Sequence, residues 1–254
     1  MDLYDRPDVY AALRAPQPEI PERICALARA HVRGEVRKVL DPACGPANWL
    51  LPMAQRGYFV AGNDLSPSMV RAARVALAGH DAEIARGDMR DLRLASAPFD
   101  LAIEVSGTSG LMLERRDLLA HLRSVASVLR SGGLFLMMVF TRDSGPVPSA
   151  WESGEIPLPD GGLASVRYEV MSRVDHTGVE RIRRTVRTHG VQDCPPQFAE
   201  EYSVRTWTWR ELHSLVAEVP EFRLGTVLDD DLLHPIDEPA FADRPEVVAM
   251  LHRV

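Results

Sequence analysis

The sequence predicts an α/β protein: a seven-stranded, mostly parallel, doubly wound sheet with a final antiparallel strand pair, and an antiparallel β insertion after the fifth strand. Three observations predict it. The apolar run Arg37 to Leu40 enters a small-residue turn, Ala43 to Ala47, and a second apolar run, Tyr58 to Ala61, ends at Asn63-Asp64 one strand–helix–strand unit later. Strand-like and helix-like segments then alternate as far as Phe140, which calls for a parallel sheet covered on both faces. After Thr141 the pattern changes to prolines and then to long runs of antiparallel character flanking Asp175-His176-Thr177-Gly178, a hairpin turn by composition.

Residues 1–16 contain Tyr4 and Tyr10 and little periodicity, so they are expected to form an arm or short helix ahead of the core. Pro18 to His31 reads as a helix, with Ile20, Ile24, Leu27 and His31 on one face and Gly34 as its stop. Trp49 to Arg56 is helical, and Ser66 caps the next helix ahead of Pro67 at its first position. Leu118, Leu122, Val125 and Leu129 make the core stripe of a helix that Gly132-Gly133 is expected to end, before the strand Leu134 to Phe140. Pro146, Pro148, Pro157 and Pro159 mark a loop. Leu163 to Val174 and Val179 to Thr188 form the hairpin, and Glu200 to Trp207 supplies a third strand. Thr208-Trp209-Arg210-Glu211 opens a helix with a capping box, and Phe222 to Leu228 and Val247 to Val254 complete the sheet as its antiparallel pair.

The chain thus divides into an N-terminal arm and helix (1–35), an α/β core (36–141), an antiparallel β insertion (142–207) and the completion of the core (208–254). Ligands bind at the carboxyl ends of the strands in such sheets. An insertion after the fifth strand emerges at that edge, so the hairpin and the arm are expected to roof the substrate pocket.

With 254 residues the chain can bury one sizeable core. A formal net charge of −7 argues against nucleic acid as a partner, since phosphate contacts need a basic face. The arginines between Arg181 and Arg187 alternate as on the exposed face of a hairpin, with the lip of a site as the alternative reading. Cys25, Cys44 and Cys194 show neither metal-ligand spacing nor a disulfide framework, and Cys44 reads as a small apolar filler of the turn. The carboxylates of Asp229, Asp230 and Asp231 point apart on an extended loop, so no metal is expected. No signal peptide and no bilayer-length apolar run is present, which predicts a cytoplasmic protein without a membrane partner.

Small residues at the Ala43–Ala47 turn let backbone approach a ligand closely, and a carboxylate at Asp64 can accept both hydroxyls of a ribose. Of the three glycines in a dinucleotide fingerprint only Gly45 is present, and Pro46 removes a backbone donor. The turn therefore suits a nucleoside without a diphosphate and argues against a nicotinamide-dependent dehydrogenase. Asp41 can satisfy backbone donors of the turn or touch the ligand.

Five segments fall in one order: Leu40 to Ala47, Gly62-Asn63-Asp64-Leu65-Ser66, Arg86-Gly87-Asp88-Met89, Phe99 to Glu104, and Leu129 to Gly133 before an apolar strand. In this the chain resembles the class I S-adenosylmethionine (SAM)-dependent methyltransferases, of the small-molecule type with a β insertion. The resemblance covers residues 36–140 closely. It implies SAM as cofactor and S-adenosylhomocysteine as product. Ala43, Gly45 and their neighbours would face the methionine part, Asp64 the ribose and Asp88 the adenine amino group. Leu65 and Met89 would flank the ring, Glu104 and Val105 would lie beside the sulfonium, and Tyr10 would belong to an arm folded over the cofactor. Ala43 and Ala47 stand where the family usually has glycine, which bears on cofactor affinity.

Tyr4, Glu104 and His189 are the catalytic candidates, with Tyr168, Tyr202 and Trp207 further acceptor-side residues. His189 ends a predicted strand of the insertion and could act as a base. The expected reaction is methyl transfer to oxygen, nitrogen or carbon of a small molecule, in natural-product biosynthesis, by a monomer or homodimer. Alignment of donor and acceptor alone supplies ~7–11 kcal/mol in favourable cases, so such an enzyme can work without an obvious catalytic residue. A non-catalytic SAM-binding or regulatory protein is the alternative.

Overall fold

A computed structural model describes residues 2–142, 149–241 and 244–254 of the chain. The core strands are β1 (Lys38–Asp41), β2 (Phe59–Asp64), β3 (Ala82–Arg86), β4 (Phe99–Glu104) and β5 (Leu129–Phe140). Every residue of β4 is buried, as expected for a central strand covered on both faces. The insertion contributes β6 (Ser149–Glu152), β7 (Ile156–Pro157), β8 (Leu163–Val174), β9 (Val179–His189) and β10 (Gln197–Arg205), and the chain closes with β11 (Phe222–Leu228) and β12 (Glu246–Arg253). The seven-stranded sheet runs β11-β12-β5-β4-β1-β2-β3. Its first five strands in sequence are parallel, and β11 and β12 are antiparallel. The order reverses between β1 and β4, and that switch point opens a crevice at the carboxyl ends of the strands.

The helices are α1 (Pro7–Leu13), α2 (Ile20–His31), α3 (Leu50–Gln55), α4 (Pro67–Ala76), α5 (Arg115–Val128), α6 (Trp209–Ala217) and the short α7 (Glu238–Phe241). Ile24, Ala28, Leu50, Met53 and Ala73 of α2, α3 and α4 pack on one face of the sheet. Leu118, Leu122, Val125, Leu212 and Leu215 of α5 and α6 pack on the other. Both predicted caps are made. Ser66 Oγ accepts from the Met69 N–H, and Thr208 and Glu211 form a reciprocal capping box. None of the described helices is long and apolar enough to cross a membrane.

Three boundaries differ from expectation. Helix α5 stops at Val128, because Leu129 is already paired with Phe99 of β4. The next pair in that ladder is Leu101 with Leu134, so Gly132, at φ +80°, and Gly133 lie in an irregularity of β5 and do not cap the helix. The third insertion strand begins at Gln197, because β10 pairs along nearly all of β9. The proline-marked stretch is partly strand: β6 and β7 both pair with β8, Pro157 sitting at an edge. Pro146 and Pro148 lie outside the described residues.

The insertion and the N-terminal arm share a small core. Leu3 and Val9 pack against Leu158, Ala164, Val166, Val186 and Phe198. The insertion joins the main sheet through a bridge between Thr141 and the fully buried Trp207. The fold therefore sets the arm and the antiparallel sheet over the carboxyl edge of the parallel one.

Candidate functional site

The turn after β1 is shaped for close approach. Gly45 adopts φ +52° and Ala47 φ +73°, a left-handed conformation that costs an L-residue about 1–2 kcal/mol. A methyl group at Gly62 would stand 2.7 Å from Cys44 Sγ and 2.9 Å from Ile84 Cδ1, so β2 can lie against the turn only without a side chain there. Cys44 is buried in that contact, and burial pushes its thiol well above the ordinary range, as suits an inert filler. Asn63 Nδ2 donates to the carbonyls of Pro42, at 3.1 Å, and Gly87, at 3.0 Å, fastening the loops after β1 and β3 together.

These loops enclose a cavity of about 440 Å³. Asp64 Oδ2 accepts from the Gly45 N–H and Oδ1 from the Ser66 N–H, both at 2.8 Å. Each oxygen keeps a lone-pair direction for a further donor. Burial raises the Asp64 carboxyl above its usual range while the backbone N–H groups oppose the rise. Asp88 also lines the cavity. Its carboxylate is held 2.7 Å from Arg90, which lowers its pKa, and Arg90 reaches on to Asp117 at 2.9 Å. Leu65, 66% exposed, and Leu111, 40% exposed, present apolar surface at the cavity together with Met89 and Met112.

Tyr4 and Tyr10 bring the arm to the same cavity, their ring centroids 5.7 Å apart. Burial raises both phenols, so each stays protonated at neutral pH and acts as a hydrogen-bonding group. Behind them lies a cluster of arginines and tyrosines. Arg184 of β9 stands over the rings of Tyr4, at 5.4 Å, and Tyr202, at 5.2 Å, and pairs with Glu200 at 2.6 Å. Arg14 donates to the Tyr168 hydroxyl at 2.8 Å. The basic run of β9 is therefore mixed: Arg181 and Arg183 pair with Glu201 and Arg187 with Glu152 on the surface, whereas Arg184 is buried under the roof.

Of the residues singled out in the sequence, Tyr4, Tyr10, Ala43, Gly45, Asp64, Leu65, Asp88 and Met89 all line this one cavity. Asp41, Glu104, Val105 and His189 do not. Asp41 is buried and accepts the Ala43 N–H at 3.0 Å, and burial pushes its carboxyl up to about 7. Val105 is buried, and His189 is exposed at the outer end of β9. Glu104 is buried below the cavity, where Oε1 accepts the Ser109 N–H at 2.9 Å and Oε2 lies 3.8 Å from His121 Nε2. Burial, with the nearby Asp41 carboxylate, raises Glu104 well above the usual carboxylate range, and burial lowers His121 to about 4. Asp229 accepts the N–H groups of Leu233 and His234 and pairs with the His234 ring, which gives it a place in the turn.

Asn63, Thr108, Leu111, Met112 and Asp117 are among the further residues of the cavity wall that were not singled out as site residues, as are Pro42, Ser66, Gly87 and Arg90. Asn63 sits inside a recognisable segment. Asp117, on α5, meets Arg90 only through the fold and has no local signal.

Residues 39–133 match a family described as a methyltransferase domain. Over 136 residues the chain is 30% identical to the malonyl-[acyl-carrier protein] O-methyltransferase of Serratia marcescens, covering 53% of this chain and 49% of that protein. The chain spans about half the length of the curated relatives it matches. Its fold superposes on that of Streptomyces venezuelae DesVI with a TM-score of 0.76 at 19% identity, covering 100% of this chain and 99% of the other. The SAM-bound CalS10, an amino pentose methyltransferase from Micromonospora echinaspora, gives a TM-score of 0.75 at 16% identity, covering 100% and 98%. The cavity fits the cofactor of that class: it offers a carboxylate with free lone pairs, apolar side chains at its rim, and at Gly45 a left-handed backbone, φ +52°, with no side chain to fill the turn. Residues 39–133 thus resemble a methyltransferase domain, and the chain has the fold of the class I SAM-dependent methyltransferases.

Proposed function

We propose that the protein binds SAM in this cavity and catalyses methyl transfer to a small molecule. The observation that carries the reading is Asp64. It stands at the end of β2, beside the topological switch, with both oxygens fixed by backbone N–H groups and apolar Leu65 and Met89 close by. Asp64 is the ribose acceptor, and Leu65, Met89, Leu111 and Met112 supply the surface for the adenine ring. The backbone at Ala43–Gly45 faces the methionine end. The methyl carbon of SAM is electrophilic and is displaced in line by a nucleophile.

The residues of this chain act chiefly by placement and by exclusion of water. Tyr4 and Tyr10 close the cavity from the arm, and the Arg184 guanidinium over the Tyr4 ring and the Arg14–Tyr168 hydrogen bond hold the arm and the insertion together above it. Tyr4, protonated at neutral pH, orients an acceptor by hydrogen bonding and is not a base. His189 is exposed and outside the cavity wall, so a role for it requires an acceptor that extends along the insertion. A small acceptor suits a roof built from one chain, and the amino pentose and calicheamicin biosynthesis named for CalS10 favour natural-product tailoring as the setting. A cytoplasmic location follows from the same reading.

Incubation with methyl-labelled SAM and a panel of amino sugars, phenols and carboxylic acids tests the proposal. Labelled product together with S-adenosylhomocysteine supports it. Cofactor binding without turnover of any acceptor class points to a binding or regulatory protein, the reading that Ala43 favours by adding a methyl group to the cavity wall.

A further inference from the structure

The opposite edge of the sheet holds a second cavity, of about 370 Å³, lined by His31, Arg33, Arg223, His252 and Arg253 and by the backbone of Gly132 and Gly133. It lies at the amino end of β5, between the end of α2 and the paired strands β11 and β12. Arg223 and His252 are direct cross-strand partners and therefore project from the same face. The His252 ring rests over Gly225, where a Cβ would meet Nε2 at 2.5 Å, and its centroid is 5.7 Å from that of His31. Arg253 is anchored by the carbonyls of Ala126 and Glu221.

Val254 also lines the cavity, and its main-chain carboxylate is taken by Arg253 at 2.7 Å. Among the described residues no acidic side chain lines it, so the charges of Arg33 and Arg223 stay without a carboxylate partner. Some surface arginines find carboxylates, as Arg29 does with Glu22 and Arg37 with Glu35, and others, such as Arg74 and Arg86, find carbonyls. Among the described residues, His31, Arg33, Arg223 and His252 have no ion pair with any carboxylate. The nearby Arg130 is taken by Asp100. The carboxyl end of α2 offsets only a fraction of one positive charge. Burial and the charges of Arg223, His31 and Arg33 hold His252 below its usual pKa, a penalty that a bound anion would relieve. All this occurs in a chain of net charge −7, so the cluster runs against the overall field.

We infer that this cavity is a binding site for a compact phosphate-bearing anion, clamped between the Arg33 and Arg223 guanidinium groups and closed by His31 and His252. Planar guanidinium groups engage phosphoryl oxygens in bidentate fashion, and a concave site favours a small ligand over an extended polyanion. The site faces away from the cofactor cavity and rests on no part of the methyltransferase reading.

Calorimetric titration with inorganic pyrophosphate and with ribose 5-phosphate, at constant ionic strength, tests the inference. Saturable binding is expected, weakened about tenfold for each arginine removed in Arg33→Ala and Arg223→Ala and by about a hundredfold in the double variant. Binding of both probes would admit an organic phosphate as the occupant, and binding of pyrophosphate alone would restrict the site to an inorganic one. Because the Arg33 stem packs on Gly132, the exposed Arg223→Gln variant serves if the double variant fails to fold. Absence of saturable binding of either probe at millimolar concentration, or unchanged binding in Arg223→Gln, would overturn the inference.

Discussion

Replacing Glu104 by glutamine should make the protein more stable than the parent, by an amount that grows with pH. His121 Nδ1 lies 3.1 Å from the Met89 carbonyl, which only accepts, so Nδ1 holds the proton and Nε2 presents a lone pair. That lone pair faces Glu104 Oε2 at 3.8 Å, beyond hydrogen-bond range, and among the described residues neither atom has a hydrogen-bond partner. A protonated Glu104 avoids placing an uncompensated charge in this buried contact. Its folded pKa is raised, so its contribution to stability is complete below the ordinary value of 4.5 and is lost as pH rises through the folded value. While the unfolded carboxyl is ionised and the buried one is not, the loss is about 1.4 kcal/mol per pH unit. Glutamine keeps an oxygen for the Ser109 N–H and stays neutral at every pH. His121, depressed to about 4, has the opposite dependence: its contribution is present above about 6.5 and is lost as pH falls. That term is common to both proteins. Urea denaturation of the two proteins between about pH 5.5 and 8 reads the difference directly. A stability difference that stays flat across this range would refute the protonated, buried Glu104.

Other perturbations address the walls of the cavity. Asn63→Ala should cost about 1–3 kcal/mol, since the buried carbonyl of Pro42 and the part-buried one of Gly87 lose their donor, and it should weaken SAM binding by loosening both loops; urea denaturation and calorimetry measure the two effects. Arg184→Met should destabilise by about 2–3 kcal/mol, because it leaves Glu200 half-buried without its partner. Adding Glu200→Met should restore most of that loss in a double-mutant cycle.

The features legible in the sequence are those written in contiguous residues. The turn from Ala43 to Ala47, Asp64 ahead of a capped helix, and the Gly87-Asp88-Met89 turn each follow a strand, and a parallel sheet brings strand ends to one edge. Six candidates, Ala43, Gly45, Asp64, Leu65, Asp88 and Met89, converge on one cavity for that reason, and Tyr4 and Tyr10 reach it from the arm. Contacts that depend on register or on distant helices were not legible. Arg184 differs from Arg181 and Arg183 only in facing the arm, and that depends on the alignment of β9 against β10 and on where Leu3 packs. Glu104 ends a strand at the cofactor edge, yet its carboxylate turns beneath the cavity toward His121 of α5, a partner seventeen residues on that no local pattern announces. The glycines at 132 and 133 read as a helix stop because the pairing of Leu129 with Phe99 is a property of the sheet.

Titration of the purified protein with SAM and, separately, with S-adenosylhomocysteine, repeated with Asp64→Ala, tests the central claim most directly. Two charge-assisted hydrogen bonds to a ribose, at about 1.5–3 kcal/mol each, predict saturable binding of both nucleosides and at least about a hundredfold loss in the variant. The Asp64→Asn protein, which keeps one carbonyl acceptor and a like shape, should fall between the two. Binding of neither nucleoside, or equal affinity in the parent and Asp64→Ala, would contradict the assignment of this cavity as the cofactor site.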